Sequence, residues 1–455
     1  MSLVEKGPGE ILAQSIQSGD AEASGIDSHA AARRRLVRKT DLIVMPGLAL
    51  AYFTHTLDRA NLGNAKTDGL EADLGLVGNQ FSLLLVLFYV PYSVMNIPWT
   101  IAAKRFNPSI VMPILIALWG ICTLASAATN LFYTRRELAL RTSVFFQMGF
   151  IAGAVSGLIS WSVFQWDGKL NGWQYLFIIE GAITTGISIL LFVVLPRSVQ
   201  KSRWFSEEEK RLAAARLEED SQDDDKAFRW SDAKKQLRHG PTWAFAFLAF
   251  MHGVGNASSS NFLPTLIKRL TIESTTANLY TVGPNLTASV VLLVTTYLSD
   301  RFQQRAYYAC GPLFVALIAW VLLGTLDLVH NVNVGYFFTF LTVSGSFVPG
   351  LLVPVWLSAN IPTTTGRAVA LGLSYMAQNM AGIVSSLLFR AEYAPVYRPA
   401  LVTVACCQGV FIVSCLALRR YFARLNRMLD SGVIPYADGM AKRPDYRIMR
   451  LVPPE

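Results

Sequence analysis

Charge is what this sequence has least of. Only 16% of its 455 residues are Asp, Glu, Lys or Arg, against about 25% in a soluble globular chain. So little charge cannot cover a water-exposed body of this length, and 52% hydrophobic residues exclude a disordered chain. Cysteine is scarce as well, with five in all: Cys122, Cys310, Cys406, Cys407 and Cys415. They sit inside apolar stretches, without a CxxC or a Cys/His metal spacing, which excludes a disulfide scaffold and a zinc site; we expect small apolar packing residues. HExxH, a phosphate loop, a nucleophile elbow and paired intramembrane carboxylates are missing too, so we expect neither an enzyme nor a cofactor. Residues Met1 to Asp41 are polar and end in a basic cluster, unlike a signal peptide.

What is present is a series of long uncharged runs: Phe81–Ala103, Ile110–Thr134, Thr142–Trp166, Gly240–Ile267, Ser274–Ser299, Ala306–Leu326, Leu328–Gly366, Ala368–Phe389 and Pro399–Leu418. A helix crossing hydrocarbon takes about 20 apolar residues, and each run holds one. Leu42–Leu57 and Tyr175–Leu195, interrupted by Glu180, add two more. The chain is therefore expected to be an all-α polytopic membrane protein with the lipid bilayer as its solvent. Its net charge of +9 lies largely in clusters beside helix ends, where Lys and Arg set orientation, and is not a nucleic-acid signal.

Those clusters give a topology. Arg33, Arg34, Arg35, Arg38 and Lys39 place the N-terminus in the cytosol, and Arg419, Arg420, Arg424 and Arg427 do the same for the C-terminus. After a first span ending near Leu57 we expect an outside loop holding Asp58, Arg59, Lys66, Asp68, Glu71 and Asp73. The long polar stretch Pro196–Arg238 has bases at both ends and reads as cytosolic; within it Ser206–Arg216 has helical periodicity, with Ser206 as cap. This divides the chain into a tail (1–40), a first helix bundle (41–195), a linker (196–241), a six-helix bundle (242–419) and a second tail (420–455). The first bundle is one span short. Both ends of it read as cytosolic, which requires an even number of spans, yet about five are present. Leu131–Arg141 cannot cross about 30 Å of hydrocarbon at 1.5 Å per residue.

Two helix bundles joined by a cytosolic linker resemble the major facilitator superfamily. More specifically, LDRANLGNA (Leu57–Ala65), DLGLVGNQ (Asp73–Gln80), KRFNPS (Lys104–Ser109), YTRREL (Tyr133–Leu138), AGAVSGLIS (Ala152–Ser160), GWQYLFIIEG (Gly172–Gly181) and NFLPTLI (Asn261–Ile267) are similar to the anion:cation symporter family, in particular its fungal allantoate, nicotinate and pantothenate permease branch. The resemblance covers about Asp41 to Leu425. It implies a two-bundle fold whose fourth span, between the counterparts of Asn130 and Tyr133, is missing here, leaving about 11 helices rather than 12. A gene-model error and a natural truncation both explain that.

Arg59 is the first candidate site residue. The resemblance matches Arg59–Gly63 to a first-helix motif whose arginine binds anionic substrate, and a guanidinium pairs with a carboxylate through two parallel hydrogen bonds. The alternative is an interfacial arginine paired with Asp58. His55, one turn earlier, and Tyr52 beyond it share that face. Asn256, Asn285, Gln378 and Asn379, with Asn261, are uncharged polar residues in or beside spans; they suit substrate binding or interhelical packing. Asn256 and Asn285 also match glycosylation sequons, which we expect to be unused within spans. Glu180 and His252 are candidates for proton coupling, or else satisfied structural groups. Asp300 and Arg301 after one span, with Lys104 and Arg105 after another, resemble the superfamily's cytosolic gating loop, the first copy lacking its acid.

The expected function is secondary active transport of a small organic anion, coupled to protons, by alternating access. We expect a monomer, with both termini cytosolic, in the plasma membrane. Export of an acidic secondary metabolite, or a truncated non-transporting sensor, are the alternatives.

Overall fold

The computed structural model describes residues 8–106, 135–166, 168, 170–194, 202, 204–220, 229–270, 274–326, 331–361, 363–394 and 396–431. For some helical positions, among them His55, Asp58, Arg59, Lys104 and Arg105, it describes only the backbone. Cys122 and the Asn130–Tyr133 junction lie outside the described residues.

Every regular element described is a helix, as the lack of backbone partners in hydrocarbon demands. The first half supplies α1 (Pro8–Thr67), the short α2 (Leu70–Asp73), α3 (Gln80–Phe106), α4 (Arg135–Val163) and α5 (Gly172–Val194). The connecting stretch holds α6 (Glu207–Asp220) and α7 (Trp230–Leu237). The second half runs through α8 (Gly240–Lys268), α9 (Ser274–Tyr280), α10 (Val282–Phe302), α11 (Arg305–Thr325), α12 (Val332–Ala359), α13 (Thr364–Leu388) and α14 (Arg398–Asp430). Among the described residues four helical stretches are long and apolar enough to cross a membrane: Thr276–Phe302, Arg305–Thr325, Val332–Ala359 and Arg398–Met428. Their outward faces show Val290, Phe314, Phe337 and Val413 uncovered, which suits lipid rather than water.

Local chemistry sets several helix ends. The Ser206 hydroxyl accepts from the Glu209 N–H at 3.3 Å while Glu209 Oε2 accepts from the Ser206 N–H at 2.8 Å. This capping box starts α6 one residue after the expected cap. Pro241 stands in the first turn of α8, where its missing N–H costs nothing. Thr363 caps α13 by accepting from the Gly366 N–H at 3.1 Å.

One sequence expectation needs correction, and a second helix outruns its apolar run. Helix α1 does not stop near Leu57: it continues through Asp58, Arg59 and Lys66 to Thr67 and gives out before Gly69, whose φ of 91° no helix accommodates. Leu57 and Ala65 are fully buried, so packing carries the helix past the charges that read as a loop. Similarly, Arg419, Arg420, Arg424 and Arg427 extend α14 to Asp430. Arg419 lies over the Tyr307 ring at 4.0 Å, a cation–π contact.

The helix directions follow from their contacts. The α1 end near Lys39 meets the linker, where Lys39 pairs with Glu209 at 2.7 Å; the Thr67 end lies 28 residues further on, about 42 Å along a helix axis. We call these the linker end and the far end. Helix α4 runs parallel to α1, since Gly149 abuts Tyr52 and Ser156 accepts from Asn64 Nδ2 at 2.8 Å. Helix α3 runs back, with Phe81 beside Lys66.

Several helix pairs join the halves, and at three of these seams glycine brings the backbones close. A Cβ on Gly63 of α1 would stand 2.7 Å from the Asn261 carbonyl oxygen of α8. On Gly157 of α4 it would meet Thr281 and the Asn278 carbonyl, and on Gly382 of α13 it would strike the Tyr89 ring of α3. Among the described residues the core is mostly in the second half, around α12, where Val348, Leu351, Leu352 and Val353 are all buried to 1% or less.

Candidate functional site: a polar cavity between the halves

Between the halves lies a cavity of about 120 Å³. On α1 its wall is Tyr52, Thr56, Ala60 and Asn64, four positions at a spacing of four, one stripe of a helix. From α4 come Gly149, Phe150 and Gly153; from α8 Asn256, Ser259, Ser260 and Leu263. Helix α10 adds Asn285 and Leu292, α12 adds Phe347 and Gly350, and α13 adds Tyr375, Gln378 and Asn379. Tyr92 of α3 completes the rim.

The glycines make room for the amides. A Cβ on Gly153 would fall 3.2 Å from Asn285 Oδ1, so the carboxamide is seated against bare backbone. Asn285 Nδ2 donates to the Thr281 carbonyl at 2.9 Å. The Phe150 and Phe347 rings meet edge-on at 4.9 Å across the seam. Asn256 is buried, and its Oδ1 has no hydrogen-bond partner among the described residues, an acceptor with unused capacity beside the cavity.

Four of the residues singled out from the sequence, Asn256, Asn285, Gln378 and Asn379, thus converge from three helices onto one cavity. Asn261 does not join them: its Nδ2 donates to the Tyr89 hydroxyl at 2.8 Å and fastens α8 to α3. Arg59 lies on α1 between the cavity residues Thr56 and Ala60, but its side chain and that of His55 lie outside the described residues, as do those of Lys104 and Arg105. His252 is buried one turn before Asn256, its ring 6.1 Å from that of Phe411 and its Cε1 close to Gly350. Its two ring nitrogens have no hydrogen-bond partner among the described residues. Glu180 is fully buried in α5, away from the cavity lining.

At the linker end Asp300 pairs with Arg305 at 2.9 Å, while Arg301 reaches the Tyr297 hydroxyl at 3.5 Å. Arg305 was not singled out from the sequence, being one base among several after α10. Thr56, Asn64, Gly153 and Phe347 were missed as well. The i, i+4 stripe on α1 and the Gly149, Gly153, Gly157 series on α4 were the available signals.

The chain matches the family model described as Major Facilitator Superfamily over residues 48–141 and 123–386, two pieces that overlap. It belongs to that family. It is 36% identical over 440 residues to the major facilitator-type transporter hxnP of Emericella nidulans, covering 88% of each chain. It is 26% identical over 457 residues to the high-affinity nicotinic acid transporter of Saccharomyces cerevisiae, covering 91% of this chain and 85% of that one. Its fold is similar to that of the xylose transporter XylE from E. coli, with a TM-score of 0.60 at 14% identity over 82% of this chain and 96% of the other. The chain is therefore a multi-pass, all-α membrane transporter of the superfamily and not an enzyme.

Proposed function

We propose that this transporter moves a small organic anion by proton-coupled alternating access, with the cavity between its halves as the substrate site. The observation that carries the reading is the convergence of Asn64, Asn256, Asn285, Gln378 and Asn379 with Tyr52, Tyr92 and Tyr375 on a space of about 120 Å³. That is near the ~150 Å³ that admits a benzene ring, so a substrate of about one ring fits. Arg59, between two cavity residues of α1, is the proposed carboxylate anchor, with His55 beside it. Glu180 and His252, buried ionisable residues in spans, are the proposed proton carriers. Lys104, Arg105, Asp300 and Arg301 are the proposed gating loop. The contact of Lys39 with the linker supports a cytosolic N-terminus, and motifs such as LDRANLGNA and GWQYLFIIEG support the anion:cation symporter branch.

The test is uptake of labelled monocarboxylates, nicotinate among them, into vesicles holding the purified chain. Saturable uptake raised by an inward proton gradient, lost in Arg59→Ala and reduced in Asn285→Ala, is the expected result. Equal uptake in Arg59→Ala would remove the anchor, and ligand binding without flux would overturn transport.

That last outcome has its own support. Helix α3 ends and α4 begins at the linker end, the sequence between them is 28 residues long (107–134), and two crossings take about 40 residues. The 440-position alignment with hxnP uses 88% of these 455 residues, about 400, leaving about 40 positions unmatched where one crossing takes about 20. We read the first half as one span short. A transcript encoding a further apolar span between Asn130 and Tyr133 would assign the gap to the gene model; a transcript matching the chain would favour the non-transporting reading.

A further inference from the structure

The far end of α1 is held by the other half of the molecule. An α-helix leaves its last four carbonyls without internal partners and concentrates partial negative charge there. Ordinarily a glycine turn or a nearby basic side chain of the same chain segment satisfies them. Here Lys268, the last residue of α8, donates from Nζ to the Thr67 carbonyl at 2.8 Å, and Asn278 of α9 donates from Nδ2 to the Thr67 hydroxyl, also at 2.8 Å. Both bonds cross between the halves, both fall on one residue, and Thr67 and Asn278 are buried. Next to them Lys66 lies over Phe81 at 4.4 Å and over Phe262 at 5.7 Å, one ring from each half.

From this geometry we infer that Lys268 and Asn278 form a latch that caps α1 in trans and keeps the far side of the cavity shut. Separating the halves at this end breaks both bonds together and uncaps the last turn of α1, so the closed state is favoured by an ammonium–carbonyl bond that the open state cannot make. The cavity residue Ser260 lies two turns of α8 below Lys268 and reports on access from this side. The inference concerns closure alone and holds whatever the substrate is.

The test uses the full-length chain in sealed vesicles, with Ser260→Cys as reporter and a membrane-impermeant thiol reagent added from either side. A parent without the reporter subtracts labelling at Cys406 and Cys407. A charge-assisted bond of this kind shifts an opening equilibrium by about tenfold or more. Lys268→Met should therefore speed far-side labelling by about tenfold, and Lys268→Arg, which keeps a cationic donor, should leave it near the parent rate. Unchanged labelling in Lys268→Met, or acceleration from the linker side alone, would overturn the latch. A second variant guards against misfolding: Thr67→Cys with Asn278→Cys, joined by a short bis-thiosulfonate reagent that leaves a disulfide at each cysteine and releases sulfinate, so that reductant cleaves it. Joining them should abolish far-side labelling of the reporter until reductant is added, and persistent labelling would overturn the proposal.

Discussion

Gly153 of α4 and Asn285 of α10 face each other across the seam between the halves, so close that a methyl group on the glycine would touch the carboxamide at 3.2–3.3 Å. The absent side chain on one helix is the seat of the polar side chain on the other. A single methyl meets the flexible end of an amide and can be accommodated, whereas a branched four-carbon side chain occupies the cavity itself. Gly153→Ala should keep most uptake; Gly153→Leu should lose it at a stability cost of about 1–3 kcal/mol. Uptake per folded protein, measured beside a thermal melt, checks both.

Arg305, only 7% exposed, pairs in the second half with Asp300, which is 28% exposed. Removing the arginine leaves a carboxylate that water still partly reaches, which costs about 1–2 kcal/mol, less than in a fully buried pair, and removing both is milder. Arg305→Met should lower the melting temperature of the purified protein, and Asp300→Asn with Arg305→Met should restore much of the loss. A single variant as stable as the parent would show that the pair contributes nothing.

Asp68, in the turn after α1, has its carboxyl pushed up to about 6, first by burial and further by Asp73, against the pull of the Trp173 N–H and Lys268. Lys66, Glu71 and Arg269 are the other charged groups near this turn. Because burial raises the carboxyl's pKa in the folded protein, the protonated form is favoured there, and this stabilisation is present at low pH and lost as pH rises through about 6. The melting temperature of the purified protein should therefore fall as pH rises across that range. Asp68→Asn should remove that part of the pH dependence, and an unchanged dependence in the variant would exclude Asp68 as its source.

The Ser206–Glu209 capping box is local. Ser206→Ala should weaken α6 by about 1 kcal/mol and hasten proteolysis within the linker while leaving uptake unchanged. A loss of uptake would mean that α6, through Lys39 and Glu209, bears on the transport cycle.

Much of this architecture is legible from residue type alone. The uncharged runs locate α8 and α10–α14 to within a few residues at most ends, because a bilayer-spanning helix needs a fixed length of apolar chain and nothing else. The Ser206 cap is legible for the same local reason. The end of α1 is not: Asp58, Arg59 and Lys66 look like a loop until Leu57 and Ala65 are seen packed. Asn261 and Asn256 carry the same amide and lie five residues apart on α8, yet one fastens Tyr89 and the other borders the cavity; only their neighbours distinguish them.

The sequence by itself determined the membrane class and the helical content, since each depends on composition and spacing along the chain. Tertiary structure decided which amides share a cavity, that Asp300 pairs with Arg305, and that Lys268 reaches back to close the end of α1. Those relationships join residues from 5 to 315 positions apart, and no local periodicity encodes them. Those that cross between the halves depend on glycines at the seams, which let the helices approach to within backbone contact.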